Sequence, residues 1–79
     1  MKPKRKLKPG DFVKIDKLSP ASYYLYKDLK RKSPLLECPC HFRAAQLEVV
    51  EHYDNDALIC RAGDRITVLY GRDCELLKM

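Results

Sequence analysis

From Gln46 to Gly71 the chain reads QLEVVEHY, DND, ALICRA, GD, RITVLYG, with hardly a residue spare between one alternating run and the next. Side chains of an extended backbone point to opposite faces in turn, so runs of this period are strands. Ile66, Val68 and Tyr70 share one side of the third run. The doublet Val49–Val50 interrupts the alternation, which predicts a bulge where the inward face switches. Asp54–Asp56 and Gly63–Asp64 carry tight-turn chemistry. The segment is therefore expected to be a three-stranded antiparallel meander, and RDCELLK after it fits one turn of three-ten helix and a final short strand. Near the start, GDFVKID predicts another strand with Val13 and Ile15 on its core face. A meander alone leaves two open edges and an apolar face in water. Pairing DFVKI and ELLK against those edges would hide both and close the sheet.

The stretch between changes period. In LSPASYYLYKDLKRKSP, Ser19 is a good N-cap residue and Pro20 suits the first helical position. Leu25 and Leu29 lie four apart with Ser22 and Tyr26 on the same side, an amphipathic stripe. Lys30, Arg31 and Lys32 complement the negative end of a helix dipole, and Pro34 prevents continuation. A short helix over roughly 20–32 follows, expected to cap one open end of the sheet with Leu25 and Leu29. LLECPCHFRAA, with Pro39 between two cysteines, reads as an irregular kinked loop. MKPKRKLKPG reads as a flexible basic arm, because prolines discourage regular structure and like charges repel. The organisation expected is an arm over 1–9 and a single domain over 10–79.

The leading KPGDFVKI, the tight-turned meander and the closing LYGRDCELL resemble an SH3-like small barrel of the Tudor and KOW type, over residues 8–16 and 47–78. In such barrels an opening PGD strand precedes a long first loop, a meander, a short three-ten turn and a closing LE-type strand. The resemblance implies a mostly-β, five-stranded SH3-like barrel with one short helix inserted between the first and second strands. The first loop is longer here than in those barrels, and the glycine that a KOW motif places after its first strand is absent.

Charge gives the first indication of function. Residues 1–32 hold eleven of the sixteen Lys and Arg against three acids, whereas residues 33–79 hold five against eight. The net charge of +5 thus conceals a strongly basic first part and a mildly acidic second. Lys and Arg neutralise phosphates and release counterions, the main source of sequence-independent affinity for nucleic acid. Candidate contacts are Lys4, Arg5, Lys6 and Lys8 on the arm, and Lys27, Lys30, Arg31 and Lys32 on the helix. Tyr23 and Tyr24 lie beside the second group, and exposed aromatic rings stack on unpaired bases. The expected partner is RNA or DNA, or the nucleic-acid-bearing surface of a ribosome or transcription complex. The alternative is an adaptor or inhibitor that grips a protein through an aromatic groove at Tyr53 and Tyr70. Asp54, Asp56, Asp64 and Asp73 would make the opposite side acidic.

Enzymatic chemistry is not expected. A chain of 79 residues buries only about 60–65% of the surface that its unfolded form exposes, which leaves little room for a deep reaction centre. No Gly-rich phosphate loop, nucleophile elbow or paired-carboxylate pattern is present. His52 is expected to face solvent. Met1 is followed by a basic cluster with no apolar stretch of signal-peptide or membrane-spanning length, so a cytoplasmic protein is expected. In a reducing compartment Cys38, Cys40, Cys60 and Cys74 are free thiols or metal ligands. Cys38, Cys40 and His41 are the candidate zinc ligands, but the second half of a four-ligand site is missing as a motif. Cys60, mid-strand, reads as a small hydrophobe. No cofactor, membrane or small-molecule substrate is expected.

Overall fold

A computed structural model of the chain describes residues 7–54 and 56–77. Strand β1 (Phe12–Ile15) leads through a short loop into helix α1 (Pro20–Lys30). A two-residue strand β2 (Leu36–Glu37) and a three-ten turn (Pro39–Phe42) follow. Then come the meander strands β3 (Leu47–His52), β4 (Ala57–Ala62) and β5 (Arg65–Tyr70). A second three-ten turn (Gly71–Asp73) leads into β6 (Cys74–Leu76). The meander is as the alternation predicts. Its register slips between Val49 and Glu51, the bulge foreseen at the valine doublet. Ala62 pairs with Arg65 around a two-residue turn in which Gly63 has φ 67°, a conformation that only glycine adopts without strain.

The six strands form one open sheet in the order β2-β5-β4-β3-β1-β6. This corrects the expectation of five strands closed into a barrel. β1 pairs with β3 (Val13 opposite Leu47), and β6 pairs with the far side of β1 (Ile15 opposite Cys74). Both added strands therefore stack on the same edge of the meander. The other edge, β5, is taken by β2 in a parallel pair, Leu36 beside Ile66 and Glu37 beside Thr67. With β2 on the free edge of β5, β6 does not pair there, and the sheet ends on β2 at one side and β6 at the other. β2 comes from the segment expected to be an irregular loop, and two residues are too few to show a period.

Two apolar clusters lie on opposite faces of the sheet. The larger holds Val13, Ile15, Phe42, Leu47, Val49, Leu58, Cys60 and Leu69, with Phe42 brought in by the first three-ten turn. Adjacent strand residues face opposite ways, so Ile59, Ile66 and Val68 point to the other side. There they meet Leu25, Tyr26 and Leu29 of α1 together with Leu36. The helix therefore lies against the outer face of β5 and β2 and does not plug an open end. The apolar side chains of β5 need cover on both faces, and α1 supplies the second.

The helix stops at Lys30, two residues short of the expected end. Lys30 Nζ donates to the carbonyls of Pro34 (2.9 Å) and Leu36 (2.8 Å), tying the helix exit to β2. Ser19 holds the N-cap position, but its side chain caps nothing and turns to a buried carboxylate instead. His52 is half-buried and its Nε2 bonds the Leu7 carbonyl, contrary to the solvent-facing position expected of it. Among the described residues no helix is long and apolar enough to cross a membrane.

Candidate functional site

Ser22 and Leu29 are buried against the sheet and Leu25 and Tyr26 half-buried, which leaves the opposite side of α1 to solvent. That side presents Tyr23 (43% exposed) and Tyr24 (67% exposed). The two rings meet edge-on, 6.0 Å apart at 61°. Helical spacing sets Lys27, Asp28 and Arg31 below Tyr24 at three, four and seven positions, on the same strip of surface. Two shallow depressions run side by side here. One is lined by Tyr23, Tyr26, Lys27, Lys30 and Arg31, the other by Tyr24, Lys27, Asp28 and Arg31, so Lys27 and Arg31 border both. The Lys27 ammonium stands 5.6 Å from the Tyr23 ring centre, and the Lys30 ammonium 5.9 Å from that of Tyr26.

The cations of this strip differ from three arginines of the acidic half. Arg61 pairs with Glu48 at 3.2 Å, Arg65 with Glu37 at 2.6 Å and Arg72 with Asp56 at 3.3 Å. Arg65 also stacks on Phe42, 4.7 Å from the ring centre, and Arg72 on Tyr70 at 4.5 Å. Among the described residues, Lys27 and Arg31 form no ion pair with a carboxylate. Their charge is therefore available to an external anion, whereas the arginines of β4, β5 and the turn after β5 are neutralised locally.

A buried carboxylate fixes the helix in place. Asp73, only 4% exposed, accepts from Ser22 Oγ at 2.6 Å, Ser19 Oγ at 2.7 Å and the Ser19 N–H at 3.1 Å. Its own carbonyl accepts from the N–H groups of Asp16 (2.8 Å) and Lys17 (3.3 Å). Burial alone would raise the pKa of Asp73, but the hydrogen bonds from Ser22 and Ser19 outweigh it and hold the carboxyl below its ordinary value. Asp73 was expected on an acidic surface; it is instead the latch between the end of the sheet and the start of the helix. Nothing local marks it, because its partners lie more than fifty positions away.

The remaining predicted residues fall in several places. Lys4, Arg5 and Lys6 lie outside the described residues. Lys8 is exposed in a turn where its N–H donates to Asp11 Oδ2. That turn is rooted on β3, through Gly10 N–H to the Val49 carbonyl and His52 to Leu7. In the order of the sheet β4 separates this root from β5, on which α1 packs. The structure thus brings Tyr23, Tyr24, Lys27, Lys30 and Arg31 together and sets Lys8 apart. Lys32 is exposed just past the helix.

The chain matches no protein-family model, no curated protein and no solved structure. What the helix face can do follows from its own chemistry and from that of the two other predicted sites. Tyr53 is 49% exposed at the end of β3, and Tyr70 faces Ala57 across the β4–β5 pair. The Tyr53 N–H donates to the Ala57 carbonyl at 2.9 Å, so both tyrosines flank one residue at the same end of the sheet.

At the cysteine pair, Cys38 is buried while Cys40 and His41 are exposed on the three-ten turn. The Cys40 N–H donates to Cys38 Sγ at 3.4 Å. The adjacent Cys38 thiol, with some loss of hydration, raises the pKa of Cys40. Among the described residues, no three His, Cys, Asp or Glu side chains converge as a metal site. Cys60 is fully buried in the larger cluster, as a small hydrophobe would be. Burial pushes its thiol up to about 12, and does the same for Cys74. All four cysteines are free.

Proposed function

We propose that the protein is a non-enzymatic binding module that holds the backbone of a nucleic acid, free or within a larger assembly, against the outer face of α1. The single observation behind this reading is that Lys27 and Arg31 border two adjoining depressions with no internal carboxylate partner, beside two exposed tyrosines. Cations without internal partners release counterions when a phosphate replaces water and salt. The concentration of basic residues in positions 1–32 supports the same partner, with the arm adding long-range attraction. The strand sequence β6-β1-β3-β4-β5 around one apolar cluster supports kinship with SH3-like small barrels, with β2 as an addition at the edge.

Filter binding of the full chain to mixed-sequence RNA and DNA tests the reading. Retention at low salt should fall steeply as salt rises. Replacing Lys27 and Arg31 together by Ala should weaken binding to all sequences alike. Absence of retention at low salt overturns the proposal.

A further inference from the structure

We infer that the strand held on α1 is unpaired, with a base laid on the Tyr24 ring and its phosphates running along Lys27 and Arg31. This inference rests on the nucleic-acid reading above and narrows it to one class of ligand. A duplex keeps its bases stacked on one another and offers a phosphate-binding face only its backbone. Cations alone would serve such a ligand. Here the face spends its most exposed position on a large ring: Tyr24 leaves two-thirds of its surface to water (67%) and touches Tyr23 only edge-on. An exposed ring face beside cations is the platform on which single strands stack.

The neighbours decide where each part of the strand goes. Tyr23 already has the Lys27 ammonium 5.6 Å from its ring centre, so its face is the less free of the two. The depression at Tyr24 contains Asp28 as well as Lys27 and Arg31, whereas the one at Tyr23 and Tyr26 contains only cations beside its rings. A carboxylate repels a phosphate but accepts from the amino group of a base. The phosphates therefore pass over the Lys27, Lys30 and Arg31 side, and the base lies over Tyr24 next to Asp28. Both depressions are shallow, which suits stacking on any base and leaves no walls for reading one. Nothing in this arrangement touches the sugar, so RNA and DNA strands should bind alike.

Fluorescence anisotropy of the full chain with a short labelled oligonucleotide tests this. The same mixed sequence is supplied as single-stranded RNA, single-stranded DNA and a blunt DNA duplex, at low salt. The single strands should bind more tightly than the duplex. Tyr24→Ala should weaken single-strand binding about tenfold, the size of one lost base–aromatic stack. It should leave duplex binding unchanged, and Tyr24→Phe should bind like the parent. The inference is overturned if the duplex binds as tightly as the strands. It is overturned too if Tyr24→Ala weakens both forms equally or neither, or if RNA and DNA strands differ more than tenfold. In those cases a loss of binding on joint replacement of Lys27 and Arg31 keeps the broader reading standing. Failure of all three oligonucleotides to bind at low salt removes both.

Discussion

Ser22 Oγ donates a 2.6 Å hydrogen bond to Asp73 Oδ2, joining the first turn of the helix to the end of the last three-ten turn. The same oxygen accepts from the Tyr70 N–H at 2.9 Å, so one buried hydroxyl joins helix, sheet and carboxylate. The exposed strip of α1 is held at a fixed angle to the sheet by this contact at one end and by the Lys30 ammonium at the other. On the proposed reading, a face mounted at two points needs little reordering when a ligand arrives.

Removing the carboxylate should therefore be costly. Asp73→Ala strands two serine hydroxyls and the Ser19 N–H at once, and is expected to cost about 3 kcal/mol of unfolding free energy. Asp73→Asn keeps an acceptor in place and should cost less. In a cycle with Ser22→Ala, the double variant should be more stable than the sum of the single losses implies, because the two groups share one hydrogen bond. Urea unfolding monitored by circular dichroism measures all four proteins. Additive losses would place Ser22 and Asp73 in separate roles.

The latch also sets a pH dependence. The hydrogen bonds hold the Asp73 carboxyl below its ordinary value despite burial. The folded state then binds a proton at this site less readily than the unfolded chain does. The stabilisation is fully present above the ordinary aspartate range, near pH 4, and is lost as pH falls through the depressed folded value. Urea midpoints of the parent should drop more steeply between about pH 5 and pH 2 than those of Asp73→Ala, so the two curves converge in acid. Parallel curves would contradict the assignment.

The meander and its bulge are legible in the sequence because a period of two, sustained over three runs, leaves no other economical structure. The helix is legible from Ser19-Pro20 and the Leu25–Leu29 stripe, and Val13, Ile15 and Cys60 are buried as read. What escapes is non-local or too short to carry a pattern. β2 is two residues long, and its pairing with β5 leaves the sheet open. Asp73 looks like any turn aspartate until serines from the start of the helix fold onto it. The helix strip was visible as Tyr23, Tyr24 and the basic run, but not the division of labour within it. Only the path of the chain after the helix shows that the Lys30 ammonium is held by two carbonyls.

The β4–β5 turn offers a test of backbone conformation free of packing effects. Gly63 has φ 67°, and a Cβ added there would meet nothing within 4 Å. Gly63→Ala should thus cost about 1 kcal/mol from the left-handed backbone alone, and Gly63→Asn less. Gly71→Ala differs in kind. Its Cβ would come 2.9 Å from Asp56 Oδ1, pushing that carboxylate off Arg72. Thermal unfolding of the three variants, with salt varied for Gly71→Ala, separates the two causes: only the Gly71 effect should shrink as salt screens the ion pair.

The thiols should react in a fixed order. Cys40 is exposed, whereas burial pushes Cys60 and Cys74 up to about 12. Native protein treated with iodoacetamide near neutral pH should be labelled at Cys40 well before Cys60 or Cys74, which should react only on unfolding. The neighbouring Cys38 thiol raises Cys40 and holds back its thiolate. Cys38→Ala should accordingly speed alkylation of Cys40. Timed labelling read by peptide mass spectrometry tests both statements, and early labelling at Cys60 would show that the larger apolar cluster opens readily.

Lys30 and Lys27 should separate stability from binding. Both are exposed cations on α1, one turn apart and beside tyrosine rings. The Lys30 ammonium donates to the carbonyls of Pro34 and Leu36, and so holds the chain that carries β2 to the edge of β5. Lys27 makes no such contact. Lys30→Ala leaves those carbonyls to water and loosens β2, so it should cost about 1–2 kcal/mol of stability. Lys27→Ala should change stability by less than about 0.5 kcal/mol, as surface substitutions do. In binding the order reverses. Lys27→Ala should lower the salt dependence of affinity by about one counterion, the share of one phosphate contact. Lys30, already engaged with two carbonyls, should lower it by less. Chemical denaturation and salt-titrated anisotropy on the same two variants give four numbers, and equal effects of the two lysines on both measurements would remove the distinction drawn between them.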